Sequence, residues 1–200
     1  MLDYAHFGFK KMKRTTKGIN VEVDYPRVRE ISSVDKEPFS DYLKRLGDEL
    51  TKNIPLDVLE NWIYRHSDGG FEEWVTLEPH KWSYRLDTFT NDQILQVDHV
   101  GTWMYDLKTE GKEYVNGAPR SELFVGQYML QNGTFPKPII IAENCENIIH
   151  PRMQGEVFMK APYQLIEGHK RLACLLGMIE SDHPNLQDKH QVWLVSISEN

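Results

Sequence analysis

At 200 residues, with 40% hydrophobic and 26% charged side chains, the chain suits one domain, or one domain with a sizeable attachment. Its longest strongly apolar run, Ile139-Ile140-Ile141-Ala142, falls far short of the ~20 residues a spanning helix needs. A net charge of −7 argues against a broad nucleic-acid surface, so DNA binding is not expected as a main function.

Lys10-Lys11-Met12-Lys13-Arg14 interrupts the N-terminus and no apolar h-region follows, so no secretory signal is expected and the chain reads as cytoplasmic. Lys10, Lys11, Lys13, Arg14 and Lys17 form a basic tract, read as a solvated arm that could touch phosphates or an acidic partner. Val21 to Tyr25 alternates like a strand and stops at Pro26. A helix is predicted from Phe39 to Leu50, with Leu43, Leu46 and Leu50 as its stripe. A second is predicted from Pro55 to about His66, ended by Ser67-Asp68-Gly69-Gly70.

Residues 71–108 read as aromatic and mostly strand-like, in four pieces: WVTLE, KWSYRLDTF, ILQVDHV and TWMYDL. Trp74, Trp82, Tyr84, Phe89, Trp103 and Tyr105 are expected to pack between sheet and helices. Glu110 to Arg120 has the composition of a turn or loop. A helix then runs from about Arg120 to Gln131 and stops at Asn132-Gly133. Strands are predicted at Pro138–Ile141, Val157–Met159, Tyr163–Ile166 and Val192–Ile197, with a helix from Gly168 to Met178.

Two cysteines make neither a zinc framework nor a disulfide scaffold. Cys174 reads as a small buried hydrophobe, and Cys145 sits between acids that disfavour a thiolate. His183 and His190, with Asp182 and Asp188, lack regular ligand spacing and read as a solvated loop.

The stretch Leu165 to Gly177, LIEGHKRLACLLG, carries the chemistry. A strand delivers Glu167 to a sheet edge, and Gly168 permits a tight turn and a close backbone approach. The first helical turn offers free N–H groups and the positive end of the helix dipole, which favour an anion. Lys170 and Arg171 add charge, and Arg grips phosphate through two donors. Glu167 could hold a metal or act as a base. The competing reading takes Lys170 and Arg171 as solvated helix-start cations and His169 as filler.

Pro119-Arg120, a helix ending in Gln131-Asn132-Gly133, the strand after Pro138, then YQLIEGHKRLACLLGM and VWLVSI make an ordered series. This series resembles the ParB/sulfiredoxin-like superfamily over about 80 residues, with Gly168, His169, Lys170, Arg171 and Ala173 on its G-H-x-R-x-x-A core and Gly177 on a later glycine. The resemblance implies an α+β fold, a mixed sheet with helices, over residues 116–200. Residues 1–115 would be an N-terminal extension of a basic arm, two helices and aromatic strands packed on that core.

It also implies a bound nucleotide, ATP or CTP, with Mg²⁺. Gly168, His169, Lys170, Arg171 and Arg120 would contact the nucleotide. Glu167 and His169 are carried as catalytic residues, with Glu167 also the metal ligand. Asp98, Asp106 and Glu143 are further candidates. His169 stands where a sulfiredoxin needs cysteine, which argues against sulfinic-acid reduction. The resemblance stops short of the helix-turn-helix domain of a partition protein, so a full partition protein is not expected. The expected function is nucleoside-triphosphate binding with phosphoryl transfer or hydrolysis. The alternative is a regulatory or protein-binding accessory factor of a phage or mobile element on the same scaffold. A ParB-like nuclease is the weaker option.

Overall fold

The computed structural model describes residues 25–32, 35–67 and 69–197. The basic tract and Val21–Asp24 lie outside the described residues. Two short helices come first, α1 (Phe39–Arg45) and α2 (Asp48–Asn53). The single helix expected over Phe39–Leu50 is broken at Leu46, which is extended (φ −70°, ψ 139°). Gly47, a poor helix-interior residue, stands at the break. The next helix, α3 (Leu56–Val58), continues as a π-helical turn over Leu59–Tyr64 and buries Leu59, Trp62 and Ile63.

The aromatic segment departs most from the sequence reading. WVTLE lies in a 3₁₀ helix, Glu72–Leu77. KWSYRLDTF contributes a real strand, β1 (Ser83–Thr90). The short helix α4 (Asn91–Ile94) follows. It starts with a capping box in which the Gln93 N–H donates to Thr90 Oγ1 and the Thr90 N–H donates to Gln93 Oε1. Only Val97–Asp98 of ILQVDHV form a strand, β2.

TWMYDL, expected as a strand, opens the longest helix, α5 (Trp103–Val115). Leu107, Gly111 and Tyr114 are its buried residues, spaced four and three apart. That is a helix period, and it lies mostly beyond the aromatic run that suggests alternation. Glu110–Val115, expected as loop, are the second half of this helix.

Beyond residue 116 the expected order holds. Arg120–Glu122 form one 3₁₀ turn, and α6 (Phe124–Asn132) ends at Gly133 with φ +72°. The strands β3 (Ile139–Glu143) and β4 (Tyr163–Glu167), the helix α7 (His169–Glu180) and the strand β5 (Lys189–Ser196) follow. Val157–Met159 form no named strand: Phe158 makes an isolated bridge with Ile149. His190, expected in a solvated loop, is a buried β5 residue, 1% exposed. Its Nε2 meets Asn91 Oδ1 and its Nδ1 meets Thr134 Oγ1, both at 2.9 Å.

The five strands make one mixed sheet in the order β1-β5-β3-β4-β2. β1 and β5 are antiparallel, β5 and β3 parallel, β3 and β4 antiparallel, β4 and β2 parallel. Strands from both sides of residue 116 therefore share this sheet. The fold is mixed α and β. Successive strand residues face opposite sides, so Ile139, Ile141 and Leu165 join one core while Ile140, Ala142 and Ile166 join the other. The first core lies under α5, α6 and α7, and the second under α1 to α3 and the tryptophans. Among the described residues, no helix is long and apolar enough to cross a membrane.

Candidate functional site

Strand topology brings three separate segments to one end of the sheet. β2 and β4 are parallel, with Val97 opposite Tyr163 and Asp98 opposite Gln164. Residues that follow both strands therefore emerge together. β3 runs antiparallel to β4, with Ile140 opposite Glu167, so the segment leading into β3 reaches the same end.

Glu167 ends β4, and Gly168 turns the chain at φ +104°, ψ 27°, into α7. Only glycine suits this position. The left-handed conformation is costly for other residues, and a Cβ here would sit 2.4 Å from Ile139 Cγ2. No side chain caps α7. Its first-turn N–H groups and the positive end of its dipole are thus left for another acceptor.

Arg171 is buried and turned inward. Its Nη1 donates to the carbonyl oxygens of Lys137 (2.9 Å) and Pro138 (3.0 Å), and its Nη2 pairs with Glu167 Oε2. It thus ties the turn to the start of β3. Burial pushes the Glu167 carboxyl up, but Arg171 beside it, with His66, outweighs this and holds it below the usual carboxylate range. His66 Nε2 lies 3.6 Å from Glu167 Oε1. Lys170 is exposed, and no acid among the described residues pairs with it.

His169 faces a histidine cluster absent from the sequence reading. Its Nε2 is 3.1 Å from His99 Nε2. His99 stacks on Trp103 at 4.8 Å and 8°, and its ring centre is 5.3 Å from that of His150. The Arg152 guanidinium lies 5.0 Å from the Trp103 ring centre. His150 accepts the Arg152 N–H at Nδ1, while its buried Nε2 has no partner. Burial pushes His99, His150 and His169 down to about 4; Arg152 adds to the effect at all three, and the His99 ring adds to it at His150 and His169. All three are neutral at pH 7.

The remaining expected site residues lie elsewhere. Arg120 pairs with Glu110 and Glu113 of α5 and lies over the Tyr114 ring, with no contact to the 167–171 turn. Asp98 is beside the cluster but accepts the His99 N–H. Asp106 accepts from Thr102 Oγ1. Glu143 pairs with Tyr163, at the opposite end of β4 from Glu167, and accepts from Ser196 Oγ. Both cysteines are buried, and burial raises their thiols, Cys145 to about 11 and Cys174 to about 12.

Mg²⁺ favours oxygen ligands in an octahedral arrangement. At Glu167 one carboxylate oxygen holds Arg171, and the other faces His66. A guanidinium and an imidazole are a poor setting for a divalent cation, so the side chains present do not fit Mg²⁺. Among the described residues, no group of three or more His, Cys, Asp or Glu side chains could hold a metal ion.

His66, His99, Trp103, His150 and Arg152 come from three segments remote from residue 167, and no spacing in the sequence links them. The only local sign is Gly101 (φ +64°), which turns the chain between His99 and Trp103. Comparison with protein-family models, curated proteins and solved structures finds no match.

Proposed function

We propose that this chain is a ParB/sulfiredoxin-like protein that binds a nucleoside triphosphate, ATP or CTP, at the Glu167–Arg171 turn and transfers or hydrolyses a phosphoryl group there. The observation that carries the reading is the uncapped start of α7 behind a glycine turn, beside a lysine that no acid among the described residues pairs with. Such a helix start favours phosphate by backbone donation and dipole. Lys170 supplies the mobile charge at the phosphates, and Arg152 is a second exposed cation at the cluster. Arg171 acts differently from the resemblance: it positions Glu167 and the turn rather than gripping phosphate.

The test is thermal denaturation with ATP, CTP, GTP and UTP. At about 100 times Kd a ligand adds about 2.7 kcal/mol, which raises the midpoint by about 5–10 °C for a chain of this size. ATP or CTP is expected to give this rise. Lys170→Ala should melt like the wild type alone and lose most of the rise. No shift with any of the four nucleotides would sink the proposal.

One observation favours the second reading, a non-catalytic regulatory or protein-binding factor. Arg171 and Glu167 are spent on each other and on the backbone, so the motif also serves packing. Under that reading a stoichiometric protein partner is captured by wild type and Lys170→Ala alike, without nucleotide.

A further inference from the structure

The contact between His99 Nε2 and His169 Nε2, at 3.1 Å, needs one proton. Two bare nitrogens repel, and so do two N–H groups. Both rings are neutral at pH 7, so each carries a single proton. The far side of His99 decides where those protons sit. His99 Nδ1 lies 3.4 Å from the Val100 carbonyl oxygen, which can only accept. The His99 proton is therefore on Nδ1, and its Nε2 is bare. His169 must then donate from Nε2, which leaves His169 Nδ1 bare.

This nitrogen is the open end of a directed chain that runs from His169 through His99 to the Val100 carbonyl. It has no hydrogen-bond partner among the described residues. Nor is the His99 ring free to reorient. Trp103 stacks flat on it, and the rings of His150 and His169 lie 5.3 and 5.1 Å from it.

We propose that His99 is a positioning residue that fixes His169 as its Nε2–H tautomer, and that His169 Nδ1 accepts the proton of the water that attacks the γ-phosphorus of the bound nucleotide. The proton-accepting step rests on the nucleotide reading above. The step balances simply. Water oxygen forms a bond to the γ-phosphorus as its proton passes to Nδ1. The bond from the γ-phosphorus to the bridging oxygen breaks, and the nucleoside diphosphate leaves with that electron pair. The imidazolium then returns its proton to solvent. The negative charge of the triphosphate raises the proton affinity of His169 towards the working pH, which makes it a better base when substrate is bound.

The test has two arms on the full chain. The first needs no nucleotide: long-range ¹H–¹⁵N correlation at pH 7.5 reports which nitrogen of each histidine carries the proton. Wild type is expected to show His169 with a protonated Nε2 and a bare Nδ1. His99→Phe keeps the ring on Trp103 but removes the acceptor, and should shift His169 to a mixture of tautomers. His99→Gln is the fallback if Phe does not fold. The second arm measures phosphate release from ATP and CTP. His99→Phe should lower kcat by at least about tenfold with KM within about twofold. His169→Gln should abolish release while the nucleotide still raises the melting midpoint.

A wild-type His169 protonated at Nδ1, or charged at pH 7.5, overturns the positioning role. Unchanged release in either variant overturns the proton-acceptor role, and so does a wild type that binds nucleotide but releases no phosphate. If no nucleotide binds at all, the proton-accepting step falls with the preceding reading, while the tautomer measurement still decides the positioning role.

Discussion

The two faces of the sheet are covered by different means. On one face α5 and α7 cross at two glycines. A Cβ on Gly177 would sit 2.1 Å from the Gly111 carbonyl oxygen, and one on Gly111 2.4 Å from that of Ala173. Close backbone approach and aliphatic side chains such as Leu172, Leu175 and Leu165 fill this side. On the other face, bulk does the work. Trp62 sits among Phe71, Trp82 and Trp74, with ring centres 5.0, 5.7 and 6.1 Å away, and Trp74 and Trp82 also touch. One layer is intolerant of added atoms, and the other of lost ones.

Four measurements press on that contrast. The largest effect is expected from Trp62→Ala, which empties the centre of the aromatic layer: about 4 kcal/mol of stability is lost in chemical denaturation. A loss below about 1 kcal/mol would mean the layer collapses to fill the hole, and the contrast would fail. Arg171→Ala comes next. It leaves Glu167 without its main counter-charge and frees the Lys137 and Pro138 carbonyls, at a cost of about 3 kcal/mol. The same variant should melt less cooperatively at the β4–α7 turn by hydrogen exchange, because the staple to β3 is gone.

Gly177→Ala tests the crowded face. One methyl group is expected to cost about 2 kcal/mol. The same change at Gly47, where a Cβ meets nothing within 4 Å, should cost far less. Equal effects at the two glycines would remove close packing as the explanation.

The last measurement concerns pH, where the effect is spread over more than two pH units. The histidines His99, His150, His169 and His190 are all held to about 4, below the ordinary 6.5. The unfolded chain therefore binds more protons than the folded one between those values. Stability is complete above about pH 6.5 and falls as the pH drops towards 4, with each histidine contributing at most about 1.4 kcal/mol per pH unit. His150→Phe should flatten the slope by up to that amount. His150 leans on Trp74 of the aromatic layer and on His99 of the cluster, so an unchanged slope would mean that this packing does not hold His150 neutral.

The contrast also marks what could be read from sequence. Residues 120–197 could be read in order because each element there has a local sign: Asn132-Gly133 stops α6, and Gly168 opens α7. α5 carries conflicting signs, because Trp103, Met104 and Tyr105 suit a strand while its helix period lies in Leu107, Gly111 and Tyr114. The glycine of that set has no side chain to register in an apolar pattern. At the site, the turn from Glu167 to Arg171 is contiguous and so could be found. The inward path of Arg171 could not, because its acceptors are backbone atoms 33 and 34 residues away. His99, which follows β2, reaches the site through strand pairing, and His66 and His150 through the packing of segments outside the sheet, which no local spacing records.

The place of β5 has a consequence for folding during synthesis. This strand lies between β1 and β3, yet its residues, 189–196, are made after every other strand. Until they emerge from the ribosome, β1 has no partner in the sheet and β3 presents an open apolar edge. Exposed strand edges of this kind recruit other chains. The nascent protein therefore passes through an interval in which the apolar strand Ile139-Ile140-Ile141 lacks its β5 neighbour and is the one most in need of shelter.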